Sequence, residues 1–163
     1  MLFRSRNDGF RIILIDAGGD IRVGDPPPSL GGWRINLEDA VKGSSRLLLQ
    51  GCAVATSGDK YKFCDIQGTR YSHIVNPVTG RGMTDHRQVT IIAGDGITAD
   101  ALATALSVMD IRAGLALAES LPGVQALIRV LNPEQAASGT LAGDTASAET
   151  FIVYRPSGFP GLA

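Results

Sequence analysis

The sequence predicts an α+β fold: a mixed, mainly antiparallel sheet with two consecutive helices packed on it. Two observations predict it. Short apolar, β-branched runs bounded by glycine, proline and asparagine turns recur along the chain. Helical character is concentrated in one stretch, residues 98–120, with such runs before and after it.

In chain order, Arg11-Ile-Ile-Leu-Ile-Asp16 reads as a buried strand that stops at the glycine turn Ala17-Gly-Gly-Asp20. Paired glycines permit positive φ and let backbone N–H groups approach a ligand, although a Gly-Gly-Asp turn at a strand end is by itself ordinary structure. Residues 24–32, rich in proline and glycine, form a rigid surface connection to a half-buried strand at 33–37. Residues 46–56 are apolar and small, and break at Ser57-Gly-Asp59, read as a turn with a hydroxyl and exposed amides. Residues 61–66 and 69–74 flank Gln67-Gly68 as a hairpin, with His73 at the end of its second strand and the turn Val75-Asn-Pro-Val-Thr-Gly80 following at once. His86 lies in the polar stretch Asp85-His-Arg87, which leaves His73 as the histidine in an ordered setting.

A buried strand at 88–93 turns through Gly94-Asp-Gly96 into the one long helix, 98–109, with Leu102, Leu106 and Met109 on its buried face. Asp100 and Thr104 stand four apart, so both oxygens project from one face at the end where the helix begins, a pairing that suits a hard cation. The structural alternative makes Thr98 an N-cap, gives Asp100 to the positive helix end, and turns Thr104 back into its own helix. A second helix at 112–120 closes at Pro122-Gly123, and a strand follows at 124–130. Residues 132–149 read as a flexible loop with one helical turn at 133–137, before a last strand at 151–154.

With 163 residues, 44% hydrophobic and 19% charged, the chain is sized for a single domain with its own core. A formal net charge of -1 supplies no concentrated basic surface, so no nucleic-acid partner is expected. Cys52 and Cys64 lack the spacing of a zinc site and read as small buried residues. The first residues lack the apolar core of a signal peptide, which as written predicts a cytoplasmic chain.

Four segments stand in a fixed order: Asp16-Ala-Gly-Gly-Asp-Ile-Arg22, Ala55-Thr-Ser-Gly-Asp59, His73-Ile-Val-Asn-Pro-Val-Thr-Gly80 and Thr98-Ala-Asp-Ala-Leu-Ala-Thr-Ala105. Together, over residues 9–130, they resemble the carboxy-terminal half of the ApbE family, the FAD:protein FMN transferases. The resemblance implies magnesium-dependent cleavage of FAD at its pyrophosphate, with FMN passing to a Thr or Ser hydroxyl of a target protein and AMP leaving. Some members hydrolyse FAD instead. Asp100 and Thr104 match the family's Mg²⁺ ligands. His73 matches the histidine of its His-Ile-x-(Asp or Asn)-Pro-x-Thr-Gly motif, beside the flavin nucleotide and able to assist proton transfer from the acceptor hydroxyl. Gly18, Gly19, Asp20, Ser57, Gly58 and Thr79 match positions near the nucleotide.

Family members carry another stretch of comparable length before the Ala-Gly-Gly-Asp segment, with a Lys-Gly segment that helps build the metal and flavin site. The expectation is therefore a single ApbE-like domain over 1–163, incomplete on its amino-terminal side. Such a chain would pair with the missing half or self-associate through surface meant for it. The alternative reading is a non-catalytic flavin- or nucleotide-binding remnant. Many family members are exported lipoproteins, so the resemblance leaves the compartment open.

Overall fold

Along Ala53–Gly58 and Arg87–Ala93 successive side chains point to opposite faces, and most of them are buried, which requires a packed layer on each side. The computed structural model, which describes residues 9–37, 46–59, 62–131 and 151–154, supplies both layers. In chain order the strands are β1 (Leu14–Asp16), β2 (Ile21–Val23), β3 (Trp33–Asn36), β4 (Arg46–Leu49), β5 (Ala53–Gly58), β6 (Phe63–Ile66), β7 (Thr69–Ser72), β8 (Arg87–Ala93), β9 (Gln125–Leu131) and β10 (Phe151–Tyr154). Helices α1 (Gly96–Val108) and α2 (Ile111–Ser120) stand between β8 and β9. A six-stranded sheet runs β1-β2-β5-β8-β9-β10, and β3-β4 and β6-β7 form two-stranded sheets of their own. All strand pairs are antiparallel, with one isolated parallel bridge between Ile12 and Asp25.

One face of the large sheet takes the helices. Ala53, Ala55, Val89, Ile91, Ala93, Ala126 and Ile128 pack there against Ala99, Ala103 and Leu106 of α1 and Ala118 of α2. So many alanines on both sides bring the helix backbone close to the strands. Gly114 lets α2 sit against α1, since a Cβ there would lie 3.1 Å from Leu106 Cγ. The opposite face of the sheet presents Val23, Val54, Ile92 and Leu127 to Ile35, Leu37, Leu47 and Leu49 of the β3-β4 region. Each fully buried leucine or isoleucine contributes about 1.5–3 kcal/mol of transfer free energy. On this second face the hydroxyls of Thr56 and Thr90 satisfy each other at 3.0 Å.

The expected α+β class, with two consecutive helices on a mainly antiparallel sheet, is the observed one. The hairpin at Gln67-Gly68 also forms, both residues taking the positive φ that a tight two-residue turn needs (54° and 79°). Several local expectations are corrected. Residues 11–16 are not a buried strand: β1 is an edge with only β2 beside it among the described residues, and Phe10, Ile12 and Leu14 are exposed. Apolar β-branched composition reports a tendency to be covered, not what covers it. The apolar run 46–56 is two strands that belong to different sheets, broken at Gly51, which takes φ 62° and donates its N–H to Gly24 O at 3.0 Å. Ser57 and Gly58 do not form a turn; they end β5, opposite Val89 and Gln88. Cys64 is exposed on β6 rather than buried, and Cys52 is half-buried. The loop at 132–149, its helical turn at 133–137, and Tyr61 lie outside the described residues.

Candidate functional site

Helix α1 begins two residues earlier than its sequence suggests, and Asp95, not Thr98, is the N-cap. Thr98 N–H donates to Asp95 Oδ1 at 2.9 Å and Thr98 Oγ1 to Asp95 Oδ2 at 2.8 Å. These two bonds, the backbone one first, hold the Asp95 carboxyl below its ordinary pKa. The earlier start moves Asp100 out of the first turn, so its charge has little business with the helix end. The buried stripe of α1 is Ala99, Ala103, Leu106 and Ser107, with Leu102 and Met109 only half-buried beside it. Asp100 and Thr104 each follow a buried alanine by one residue, at the exposed margin of the helix.

Strand β5 meets that margin. Ala53, Ala55 and Ser57 share its helix-facing side by the period of two, and Ser57 Oγ reaches Thr104 Oγ1 at 3.2 Å. Strand β2 pairs with β5 through Ile21↔Val54 and Arg22↔Ala53, and extending that register carries the 17–20 turn alongside the Ser57 end of β5. In the turn, Gly18 and Gly19 take φ of 77° and 105°, and a Cβ on either would meet nothing within 4 Å. Backbone conformation, not crowding, therefore calls for glycine there. Gly19 N–H donates to Asp16 Oδ1 at 2.8 Å. The Asp20 carboxyl is pushed above its ordinary pKa, first by burial and then by the nearby charges of Asp100 and Asp16.

Asp20, Ser57, Asp100 and Thr104 are thus brought together from β2's lead-in, β5 and α1, with Asp16 as a neighbour that sequence reasoning did not single out. The donors are oxygens throughout, the kind a hard divalent cation takes, and the charges of Asp100 and Asp16 work against ionisation of Asp20. Among the described residues no three His, Cys, Asp or Glu side chains converge on a metal position by themselves. Gly58 has another reason to be small: a Cβ there would press on Gln88 Cγ at 3.3 Å and Arg87 O at 3.4 Å.

His73 and Thr79 stand on a separate arm built from β6, β7 and the turn after them. Among the described residues no hydrogen bond or ion pair joins them to the oxygen cluster. Asn76 Oδ1 accepts from Val78 N–H at 2.9 Å and Thr79 N–H at 3.3 Å, and Gly80 N–H closes the turn on Asn76 O at 2.8 Å. Thr79 is exposed. The exposed His73 donates its backbone N–H to Lys62 O at 3.1 Å, and its Nδ1 lies 3.0 Å from the same oxygen. A carbonyl only accepts, so Nδ1 carries the proton and Nε2 of the neutral ring keeps its lone pair free.

His86, set aside in the sequence, proves equally ordered. Its Nδ1 lies 3.0 Å from Oδ2 of the buried Asp59, which also pairs with Arg70. Arg87 grips the end of α1, donating to Leu106 O at 3.3 Å and Met109 O at 2.5 Å while pairing with Asp85. Sequence reasoning missed these residues because their partners lie far off in the chain.

Comparison with known proteins bears on this arrangement. A family model described as the ApbE family matches residues 3–128. An FAD:protein FMN transferase of Vibrio cholerae is 34% identical over 120 residues, covering 71% of this chain and 36% of that protein. One from Treponema pallidum is 35% identical over 127 residues, covering 70% and 35%. Among solved structures, a variant of the flavin transferase ApbE from Vibrio cholerae superposes with a TM-score of 0.75 at 28% identity, over 97% of this chain and 46% of that one. The apo flavinyl transferase ApbE of Pseudomonas stutzeri gives 0.69 at 29% identity, over 94% and 44%. The chain therefore spans about a third of the length of these curated relatives and less than half of the solved structures.

Proposed function

Because the chain belongs to the ApbE family, we propose that it carries the metal-binding and proton-accepting half of an FAD:protein FMN transferase. The reaction moves FMN from FAD to a Thr or Ser hydroxyl of a target protein and releases AMP. The observation that carries this reading is the meeting of Asp20, Ser57, Asp100 and Thr104 from three separate stretches of chain.

Phosphoryl transfer asks mainly for positioning and for neutralisation of charge on the transferring group. Mg²⁺, when bound, supplies that neutralisation at the pyrophosphate. Asp100 and Thr104 are its protein ligands on α1, and Ser57 orients the Thr104 hydroxyl by sharing a hydrogen bond with it. Gly18 and Gly19, with no side chain and nothing within 4 Å of where one would lie, leave room for phosphate or ribose to approach, with Asp20, Gly58 and Thr79 near the nucleotide. His73, its Nδ1 proton held by Lys62 O, takes the proton of the acceptor hydroxyl at Nε2. The hydroxyl oxygen then forms a bond to the FMN phosphorus as the P–O bond to AMP breaks, and the electron pair leaves on AMP.

The test mixes the chain with FAD, Mg²⁺ and an acceptor protein, with and without the amino-terminal region of a family member, and reads covalent flavin by in-gel fluorescence. Labelling is expected only when that region is supplied. Absence of labelling in both arms, with FAD binding seen by calorimetry, would replace the transferase reading with that of a binding module. Equal labelling in both arms would refute the dependence.

A further inference from the structure

The arm that carries His73 is held in an unusual way. Strands β6 and β7 lie outside the six-stranded sheet, and every residue of β6 is exposed, so burial acts on the arm only through β7, where Ser72 is buried. Two backbone bonds tie its base to the chain after it, Ser72 N–H to Met83 O at 2.8 Å and Met83 N–H to Ile74 O at 2.9 Å. Asp59, the residue directly after β5 and only 6% exposed, ties the arm to the main sheet. Arg70 of β7 donates Nη2–H to Asp59 O at 2.6 Å and holds Nε 3.2 Å from Asp59 Oδ2, a charge contact without hydrogen-bond alignment. The same guanidinium stacks on Phe63 of β6 at 3.6 Å. From the other side, His86 on the approach to β8 sets Nδ1 3.0 Å from Asp59 Oδ2.

Asp59 is three residues before Lys62, and Arg70 is three residues before His73. The Asp59–Arg70 clamp therefore stands at equal chain distance from both partners of the bond that gives His73 its tautomer. We propose that Asp59 is a positioning residue for His73: joined to Arg70 and His86, it fixes the arm so that Nδ1 stays on Lys62 O and the lone pair of Nε2 stays free. Asp59 touches no reacting atom in this scheme. Its catalytic consequence rests on His73 being the proton acceptor.

The test needs no flavin, metal or acceptor. With only two histidines in the chain, ¹⁵N NMR of the uniformly labelled protein at about pH 8.5, above the ordinary imidazole range, reads both tautomers, and His73→Asn assigns the signals. The parent is expected to hold His73 in the Nδ1–H form. Asp59→Asn and Arg70→Lys, the latter keeping charge but losing the planar fork, should shift it to a mixture of both tautomers. Both should also lower the exchange protection of the His73 amide by about tenfold or more. Leu47→Ala, a core truncation on the far side of the sheet, is the control: it loses stability and should leave the tautomer unchanged. Arg70→Lys keeps a cation beside the buried Asp59 and serves as the second variant where Asp59→Asn does not fold. An unchanged tautomer in whichever variant folds, or an equal change in Leu47→Ala, overturns the proposal. A shifted tautomer, with no acceptor labelled even when the amino-terminal region of a family member is supplied, would leave the positioning role standing and sink the transfer reading alone.

Discussion

Replacing Asp100 with Asn separates the metal-binding reading from a structural one. Asp100 is the fifth residue of α1, beyond the turn in which helix-end charge matters, and its side chain makes no hydrogen bond or ion pair among the described residues. It faces Asp20, which it pushes toward protonation after burial has done the larger part. The substitution should therefore change folding stability by no more than about 0.5 kcal/mol, biased toward a gain. Thr104→Val forfeits one exposed hydroxyl pair, worth at most about 1 kcal/mol and a few degrees of melting temperature at this chain length. Against these small numbers, Mg²⁺ at about a hundred times its dissociation constant should add about 2.7 kcal/mol to the parent, roughly 5–10 °C. Melting curves with and without Mg²⁺, and transfer rates against Mg²⁺ with the amino-terminal region of a family member supplied, provide the assay. Asp100→Asn should lose the Mg²⁺-dependent rise and at least about a hundredfold in rate, about 2.7 kcal/mol of transition-state stabilisation. An Asp100→Asn protein that keeps the parent's Mg²⁺ response would refute the reasoning from the helix onward.

Asp20 predicts a pH signature. Its folded pKa lies above the ordinary value of 3.8, so its favourable contribution is complete below that value and is lost as pH rises through the folded pKa. Asp20→Asn, neutral throughout, should gain stability relative to the parent as pH climbs from about 4 toward 7 in metal-free buffer; a difference that stays flat in melting scans counts against the carboxylate cluster. A Cβ on Gly82 would fall inside contact distance of Ser72 O, a backbone atom that cannot rotate away, and 3.1 Å from Tyr71 Cβ. Gly82→Ala should cost about 1–3 kcal/mol in denaturant titration and weaken the Ser72–Met83 pairing, whereas an unchanged midpoint would show the arm to be looser than described. The exposed stripe Phe10, Ile12 and Leu14, which leads into edge strand β1, should drive self-association, and Ile12→Lys should relieve it. Light scattering that finds the parent monomeric at high concentration would reject this.

Part of the local geometry of the candidate site was legible because its signals lie close together in the chain. Asp100 and Thr104 announce a shared helix face by their spacing alone, and Gln67-Gly68 announces a hairpin by residue type. The helix start was misjudged because Asp95 and Thr98 are both good caps, and only the backbone shows which one lies outside the helix. Ser57-Gly58 looked like a turn, although the same two residues can end a strand when a neighbour such as Gln88 packs against the missing side chain. Asp59 with Arg70 and His86 could not be read at all. Its partners lie 11 and 27 residues away, where no periodicity links them.

Arg87 has a consequence for the order in which the molecule assembles. It opens β8 and closes on Met109 O, so strand, turn and helix form a loop of chain that returns to its own beginning within 22 residues. Closing so short a circuit costs little entropy compared with recruiting β1 or β10 from the chain's far ends. The expected folding nucleus is therefore β8 with α1, and the oxygens of Asp100 and Thr104 are carried in the part of the chain that sets first. Truncating Leu106 should slow refolding, with a φ-value well above that of Val23 in β2, whose loss should chiefly hasten unfolding.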